Sequence, residues 1–126
     1  MAHFANLDEN DTVINVIVVD KECVEAGKFG DPYYWKETDM FTANGLHRDE
    51  FGNPDGGIPL RGNYASIGGK YDRENDVFYD AQPYPSWTIS GPEWRWMPPI
   101  PKPPRSDTMV NVWNESTLSW DQVIRR

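Results

Sequence analysis

This chain is short of the residues that usually do chemistry. Its 126 residues include one cysteine, Cys23, and two histidines, His3 and His47. A single thiol excludes an internal disulfide. The two histidines lie far apart, with no cysteine or glutamate at ligand spacing, which argues against a zinc site. A thiol dyad would have to join Cys23 to His3, in an expected strand, or to His47, in an expected long loop. Basic charge is scarce too. Lysine and arginine number 12 against 20 acidic residues, for a net charge of −8 and a pI near 4.6. Nucleic-acid binding needs a basic footprint, and an anionic membrane surface would repel this chain. Hydrophobic residues reach only 38%, and mean hydropathy is −0.72. The longest apolar run, "VINVIVV" (13–19), contains an asparagine and is far too short to span a bilayer. The opening "MAHFANLDEND" has no basic and then apolar region of the signal-peptide kind, so synthesis in a cytoplasm is expected.

Several stretches come near a known chemistry and miss it. "DENDT" and "DRENDVFYD" are acidic, but lack the carboxylate ladder, central glycine and flanking helices of a calcium-binding EF-hand. "DEFGNPDGG" (49–57) places Asp49, Glu50 and Asp55 in a polar loop, a weak divalent-ion candidate that reads better as a solvated loop. "SIGGK" (66–70) lacks the further positions of a phosphate-binding loop; its glycines suit a close backbone approach or a bulge. Paired carboxylates for glycoside hydrolysis need a pocket that raises one pKa, and a thin core offers none. No enzyme, metal or cofactor is expected.

What the chain has is aromatics, proline and glycine: six tryptophans, eleven prolines and ten glycines. The aromatics and prolines concentrate in "YDRENDVFYDAQPYPSWTISGPEWRWMPP" (71–99). Prolines preset φ and remove donors, so such a segment loses little entropy when laid along a surface. Between the prolines, large rings serve either as a small core or as anchors on a partner.

The pattern is mainly β. "FANL" and "TVINVIVVD" read as a hairpin around the turn residues "DEND". Both faces of the second strand are apolar, which predicts a central strand, with a partner chain on one side as a further option. "KECVEAGKF" (21–29) is the one plausible helix, and "DPYYWKETDMF" reads as extended. Residues 43–63 carry NG, GNP and DGG and read as a long loop. A weak repeat follows: Leu7-Asp8 with Ile14, Tyr71-Asp72 with Phe78, Ile89-Ser90 with Trp96, and Trp113-Asn114 with Trp120. In each, a polar residue suited to start a type I turn follows a large apolar one, and a second large apolar residue follows after the turn. The two large residues are expected to meet across a hairpin. "PIPKPPRSD" (99–107) reads as a stiff polyproline spacer.

Taken together, "MAHFANLDENDTVINVIVVD", "RGNYASIGGKYDRENDVFYDAQPYPSW", "EWRWMPPIPKP" and "VWNESTLSW" resemble a family of short virion-associated proteins of tailed bacteriophages, of the marine phage and cyanophage type. The most specific block, "NYASIGGKYD … PYPSW", is similar to that family's "NYAGIGYTYD … PFPSW", with Ser66 at the small residue and Gly69-Lys70 in place of the aromatic pair position. Trp35 in "YYWKET" matches a Trp-x-x-Thr element. The resemblance implies a virion structural protein without catalytic activity, and transfers no catalytic or metal residue.

The expected fold is therefore a small antiparallel β domain of short hairpins with a long loop (about 42–62) and an extended Pro-rich C-terminal arm. The expected division is 1–97 for the β domain and 98–126 for the Pro-rich linker and last hairpin. The expected partner surface comprises Tyr84, Trp87, Trp94, Trp96, Met97, Pro99, Ile100, Pro101, Trp113 and Trp120. The expected partners are other virion proteins, either the major capsid protein or tail and fibre proteins, with copies of itself as a further candidate. The leading function is capsid decoration in the virion after synthesis in the host cytoplasm. A tail or fibre adaptor and a carbohydrate-binding module are the alternatives.

Overall fold

A computed structural model describes residues 1–125; Arg126, the last residue of the expected second domain, lies outside the described residues. The protein is mainly β, with 35% strand and 6% helix, in small antiparallel sheets of short hairpins. It divides into two compact units. Unit 1 holds residues 1–81 and 90–95; unit 2 holds 82–89 and 96–126. The division thus departs from the one read from sequence. Residues 82–89 belong with the C-terminal hairpin, because Tyr84 and Trp87 pack on that hairpin's own tryptophans.

In unit 1, β1 (Ala2–Leu7) pairs with β2 (Val13–Val19) and with β3 (Trp35–Thr38), both antiparallel. The order is β2-β1-β3, so β1 is central and β2 lies at an edge, contrary to the sequence expectation. The misleading signal was apolar residues on both faces of β2. Ile14 and Val18 on one of those faces are 50% and 53% exposed. A helix, α1 (Lys21–Glu25), follows within the expected stretch. The core joins Ala5, Leu7 and Val13 to Ala65, Tyr71 and Phe78. Tyr71 and Phe78 come from β6 (Lys70–Asp72) and β7 (Val77–Tyr79). The glycines of "SIGGK" make the close approach expected of them. Val13 N–H donates to the Gly69 carbonyl at 2.9 Å, and Gly68 N–H to the Val13 carbonyl at 2.8 Å. A side chain at Gly69 would stand 2.9 Å from the Tyr79 carbonyl oxygen.

The sequence repeat is a hairpin register. Tyr71 faces Phe78 directly, and Trp113 faces Trp120 across β8 (Met109–Asn114) and β9 (Ser119–Ile124). The polar residue after each first ring opens the turn. Asp72 Oδ1 accepts the Glu74 and Asn75 N–H groups at 3.0 and 3.1 Å; Asn114 Oδ1 accepts those of Ser116 and Thr117 at 3.0 and 3.3 Å. Asp76 and Leu118 close these turns in the left-handed region, at φ 54° and 51°. The Ile89/Trp96 copy keeps a left-handed Trp94 (φ 53°) but forms a single bridge, Thr88 to Met97, in place of strands. The first copy slips: Leu7 faces Val13, not Ile14, because the register shifts between Asn6 and Leu7. There Asp11, at φ 60°, ends a shorter turn, the type I plus left-handed arrangement of three-residue hairpins.

The stretch expected to be a long loop is tied down. Within it, β4 (Thr42–Ala43) and β5 (Leu46–His47) pair around Asn44-Gly45, whose φ values of 53° and 80° fit a type I′ turn. Arg48 and Pro54 form a further bridge. Asn63 joins three segments: its Oδ1 accepts from Asn44 N–H at 2.8 Å, and its Nδ2 donates to the carbonyls of Phe78 and Trp94 at 2.8 and 2.9 Å. The fully buried Thr42 accepts the Leu60 N–H at its hydroxyl, 3.0 Å away.

Candidate interaction surface

Period-two alternation in β8 and β9 sends Trp113 and Trp120 to one face of the hairpin and Val110, Val112 and Val123 to the other. On the first face four rings gather. Trp113 and Trp120 lie 5.2 Å apart with planes at 70°, and Trp87 meets Trp113 nearly edge-on at 5.9 Å. Tyr84 tilts against Trp87 at 5.5 Å. These are the spacings and angles aromatic pairs favour, worth about 0.5–1.5 kcal/mol per pair beyond burial. Trp113 is only 7% exposed. The cluster is the core of unit 2, built almost without aliphatic residues.

Glu115 pins it. Its carboxylate accepts from the Trp113 indole at 2.9 Å, from the Ser86 hydroxyl at 2.7 Å and from the Ser86 N–H at 3.2 Å. The indole bond, then the Ser86 hydroxyl, hold the carboxyl below the ordinary glutamate range. The Pro-rich segment runs over the same face. The Ile100 carbonyl accepts from the Trp120 indole at 2.8 Å, and the Pro103 carbonyl from the Asn111 amide at 3.1 Å. Lys102 lies over the Trp120 ring at 5.8 Å. Prolines suit such a strap: their carbonyls remain acceptors while no N–H is left to satisfy. Trp87 is the exception to this pairing; its indole nitrogen is buried without a partner among the described residues. Burying an unpaired donor costs about 1–3 kcal/mol. Trp87→Phe, which keeps a ring and removes that donor, should therefore cost less stability than Trp113→Phe, which strips a donor from Glu115. Urea midpoints of the two variants check this ordering.

The expected surface residues divide accordingly. Tyr84, Trp87, Trp113 and Trp120 turn toward one another. Trp94 belongs to unit 1, half-buried beside Gly62 and Gly91, with its N–H on the Ser90 carbonyl at 3.0 Å. Trp96 is half-buried in unit 2. Met97, Pro99, Ile100 and Pro101 are exposed. Sequence reasoning passed over the opposite face of the hairpin, where Val110, Val112 and Val123 are 38%, 45% and 51% exposed. The alternation in "VNVWN" already carried that signal.

Several of the groups weighed for chemistry are engaged structurally, whereas Cys23 is a free, partly buried thiol. His3 packs edge-on against Tyr64 at 5.7 Å. His47 lies between two carboxylates, Nδ1 at 2.8 Å from Asp55 and Nε2 at 3.4 Å from Asp39. The Gly57 N–H, then His47, hold Asp55 below the ordinary aspartate range. Asp49 accepts the N–H groups of Phe51 and Asn53 at 2.9 and 3.0 Å. In unit 1, Tyr71 donates to Asp76, which Arg61 also pairs at 2.9 Å. Burial, then that bond, raise the phenol; burial works against the Asp76 carboxylate, but Tyr71 and Arg61 together keep it low. A cleft of about 400 Å³ in unit 1 has Phe4, Val24 and Trp35 among its walls, and at its rim Lys21 pairs with Glu25 at 4.0 Å. Among the described residues no group of histidine, cysteine or carboxylates is arranged to hold a metal ion, and no helix is long and apolar enough to cross a membrane.

The chain matches no known protein family, no curated protein and no solved structure.

Proposed function

We propose that this protein is a non-enzymatic structural component of a tailed-phage particle, a decoration protein that binds the outside of the assembled capsid. The observation that carries the reading is the build of unit 2. At about 40 residues it lies at the size where chains usually need a disulfide, metal or partner. Its rings are spent on its own core, and apolar surface remains outward at Met97, Ile100, Val110, Val112 and Val123. The resemblance to short virion proteins supports the same reading. Binding only the assembled shell would stabilise it by mass action, and the net charge of −8 suits a basic patch on the partner.

Copy number in purified virions tests it. A capsid protein follows shell symmetry and should appear on the order of hundreds of times per particle. A tail or fibre adaptor would appear in a few dozen copies or fewer, and absence from the particle would refute the proposal. The strap adds a residue-level test. Since Ile100 and Pro103 carbonyls hold the hairpin, replacing the whole segment with Gly/Ser would loosen unit 2 itself. Exposed side chains are the cleaner target. Met97→Asp with Ile100→Asp should cut incorporation about tenfold or more, the cost of losing an interface hot spot, with tryptophan fluorescence of the free protein unchanged. Normal incorporation would remove the strap from the interface.

A further inference from the structure

We infer that β9 is a pairing edge for a second copy of this chain, forming a continuous four-stranded sheet β8-β9-β9-β8 across a two-fold axis. The inference concerns unit 2 alone and does not depend on where the protein acts. Every residue from Asp121 to Arg125 is exposed, whereas β8 alternates between exposed and covered positions. β9 is thus the open side of a two-stranded sheet. Arg125 N–H donates to the Thr108 carbonyl at 2.8 Å. That bond sets the phase of the ladder. Asp121, Val123 and Arg125 turn their backbone groups toward β8, and Gln122 and Ile124 turn theirs outward.

Natural edges avoid self-association with like or unmatched charges, above all lysine, or with a proline or a bulge. Residues 121–125 have no lysine and no proline, and β8 and β9 pair without a register shift. They carry one charge of each sign instead, Asp121 and Arg125 flanking Val123 on the valine face. In an antiparallel copy centred on Val123, the outward groups of Gln122 meet those of the second Ile124, and Asp121 stands opposite the second Arg125, twice by symmetry. The edge is therefore self-complementary in one register. Arg125 has donors to spare, since among the described residues only its Nε is committed as a side-chain donor, to the Ser106 carbonyl at 3.2 Å. Asp121 accepts from Asn114 at 3.0 Å and retains acceptor capacity. Pairing also joins the valine stripes of two hairpins and takes the sheet past three strands, the number an isolated sheet needs for stability.

Sedimentation of the full chain from about 1 µM to about 200 µM, at about 0.15 M salt so that overall repulsion is screened, should show a monomer–dimer equilibrium. Asp121→Arg and Arg125→Asp alone each place like charges opposite and should weaken dimerisation about tenfold or more. The double swap should restore it to within about threefold. Hydrogen exchange at Gln122 and Ile124 of the unaltered protein should slow as concentration rises, a readout that survives if a variant fails to fold. A monomer at the highest concentration, failure of the double swap to restore association, or protection confined to other residues would overturn the inference. Slowed exchange at 122 and 124 only in assembled particles would assign the edge to a different virion chain and overturn it equally.

Discussion

Trp113→Ala should unravel the C-terminal hairpin. The wild-type ring is 7% exposed, touches Tyr84, Trp87 and Trp120, and gives its indole proton to Glu115. Truncation to alanine leaves a cavity the other rings are too rigid to fill, which costs about 3–5 kcal/mol for a buried aromatic. It also frees Glu115, whose other partners lie on Ser86, so the segment carrying Tyr84 and Trp87 loses its anchor. A unit of about 40 residues has little reserve against such a loss. Hydrogen exchange should show β8 and β9 amides at near-unprotected rates while those of β1 and β7 remain slow. Retained protection in β8 would mean that the strap, and not the rings, holds the hairpin.

Gly45→Ala should be the most damaging single methyl in the molecule. Gly45 has φ 80°, as the second central residue of the type I′ turn requires. An alanine there incurs about 1–2 kcal/mol for the left-handed conformation. Its Cβ would also run into the Pro92 carbonyl oxygen, a backbone atom that cannot rotate away. Displacing packed backbone adds about 1–3 kcal/mol. Chemical denaturation should therefore lose about 2–5 kcal/mol in total, with early exposure of the Trp94 environment. Asn44→Ala, next door at φ 53°, lacks that collision and should cost less.

Glu115 supplies a pH test. Its folded pKa is lowered by the Trp113 indole first and Ser86 second. A lowered pKa means the contribution is present above the ordinary value of 4.5 and is lost as pH falls through the folded value beneath it. Glu115→Gln keeps an acceptor but no charge. The stability gap between wild type and this variant should be constant above about pH 6 and close below the ordinary carboxylate range. A gap that widened on acidification would contradict the assignment.

Much of the hairpin architecture was legible because a hairpin is a local object. In "YDRENDVF" and "WNESTLSW" the turn is started by an Asx side chain reaching two and three residues ahead, and the rings then meet by register alone. The same logic read Ile14 as the partner of Leu7 and missed, because a one-residue change in turn length shifts the register and turns the next residue to the other face. Sequence reasoning also made β2 central, since apolar residues on both faces do not tell whether a strand has hydrogen-bonding neighbours on one edge or on two. The loop at 43–63 looked unstructured because its anchors are distant: Asn63, Thr38 and Thr42 bond across the fold to groups no local pattern connects.

Composition alone narrowed what the chain could build. With one cysteine, two histidines, a net charge of −8 and six tryptophans, the chain had material for aromatic hairpins and little for a metal centre or a nucleic-acid face. Period-two alternation then fixed which residues share a strand face, because side-chain direction follows from the backbone alone. Only the tertiary structure decided which face of the last hairpin holds the rings and which is left to solvent. That choice depends on where the Ser86 and Pro-rich segments return, and their return depends on a carboxylate at 115 and two carbonyls, contacts between residues far apart along the chain.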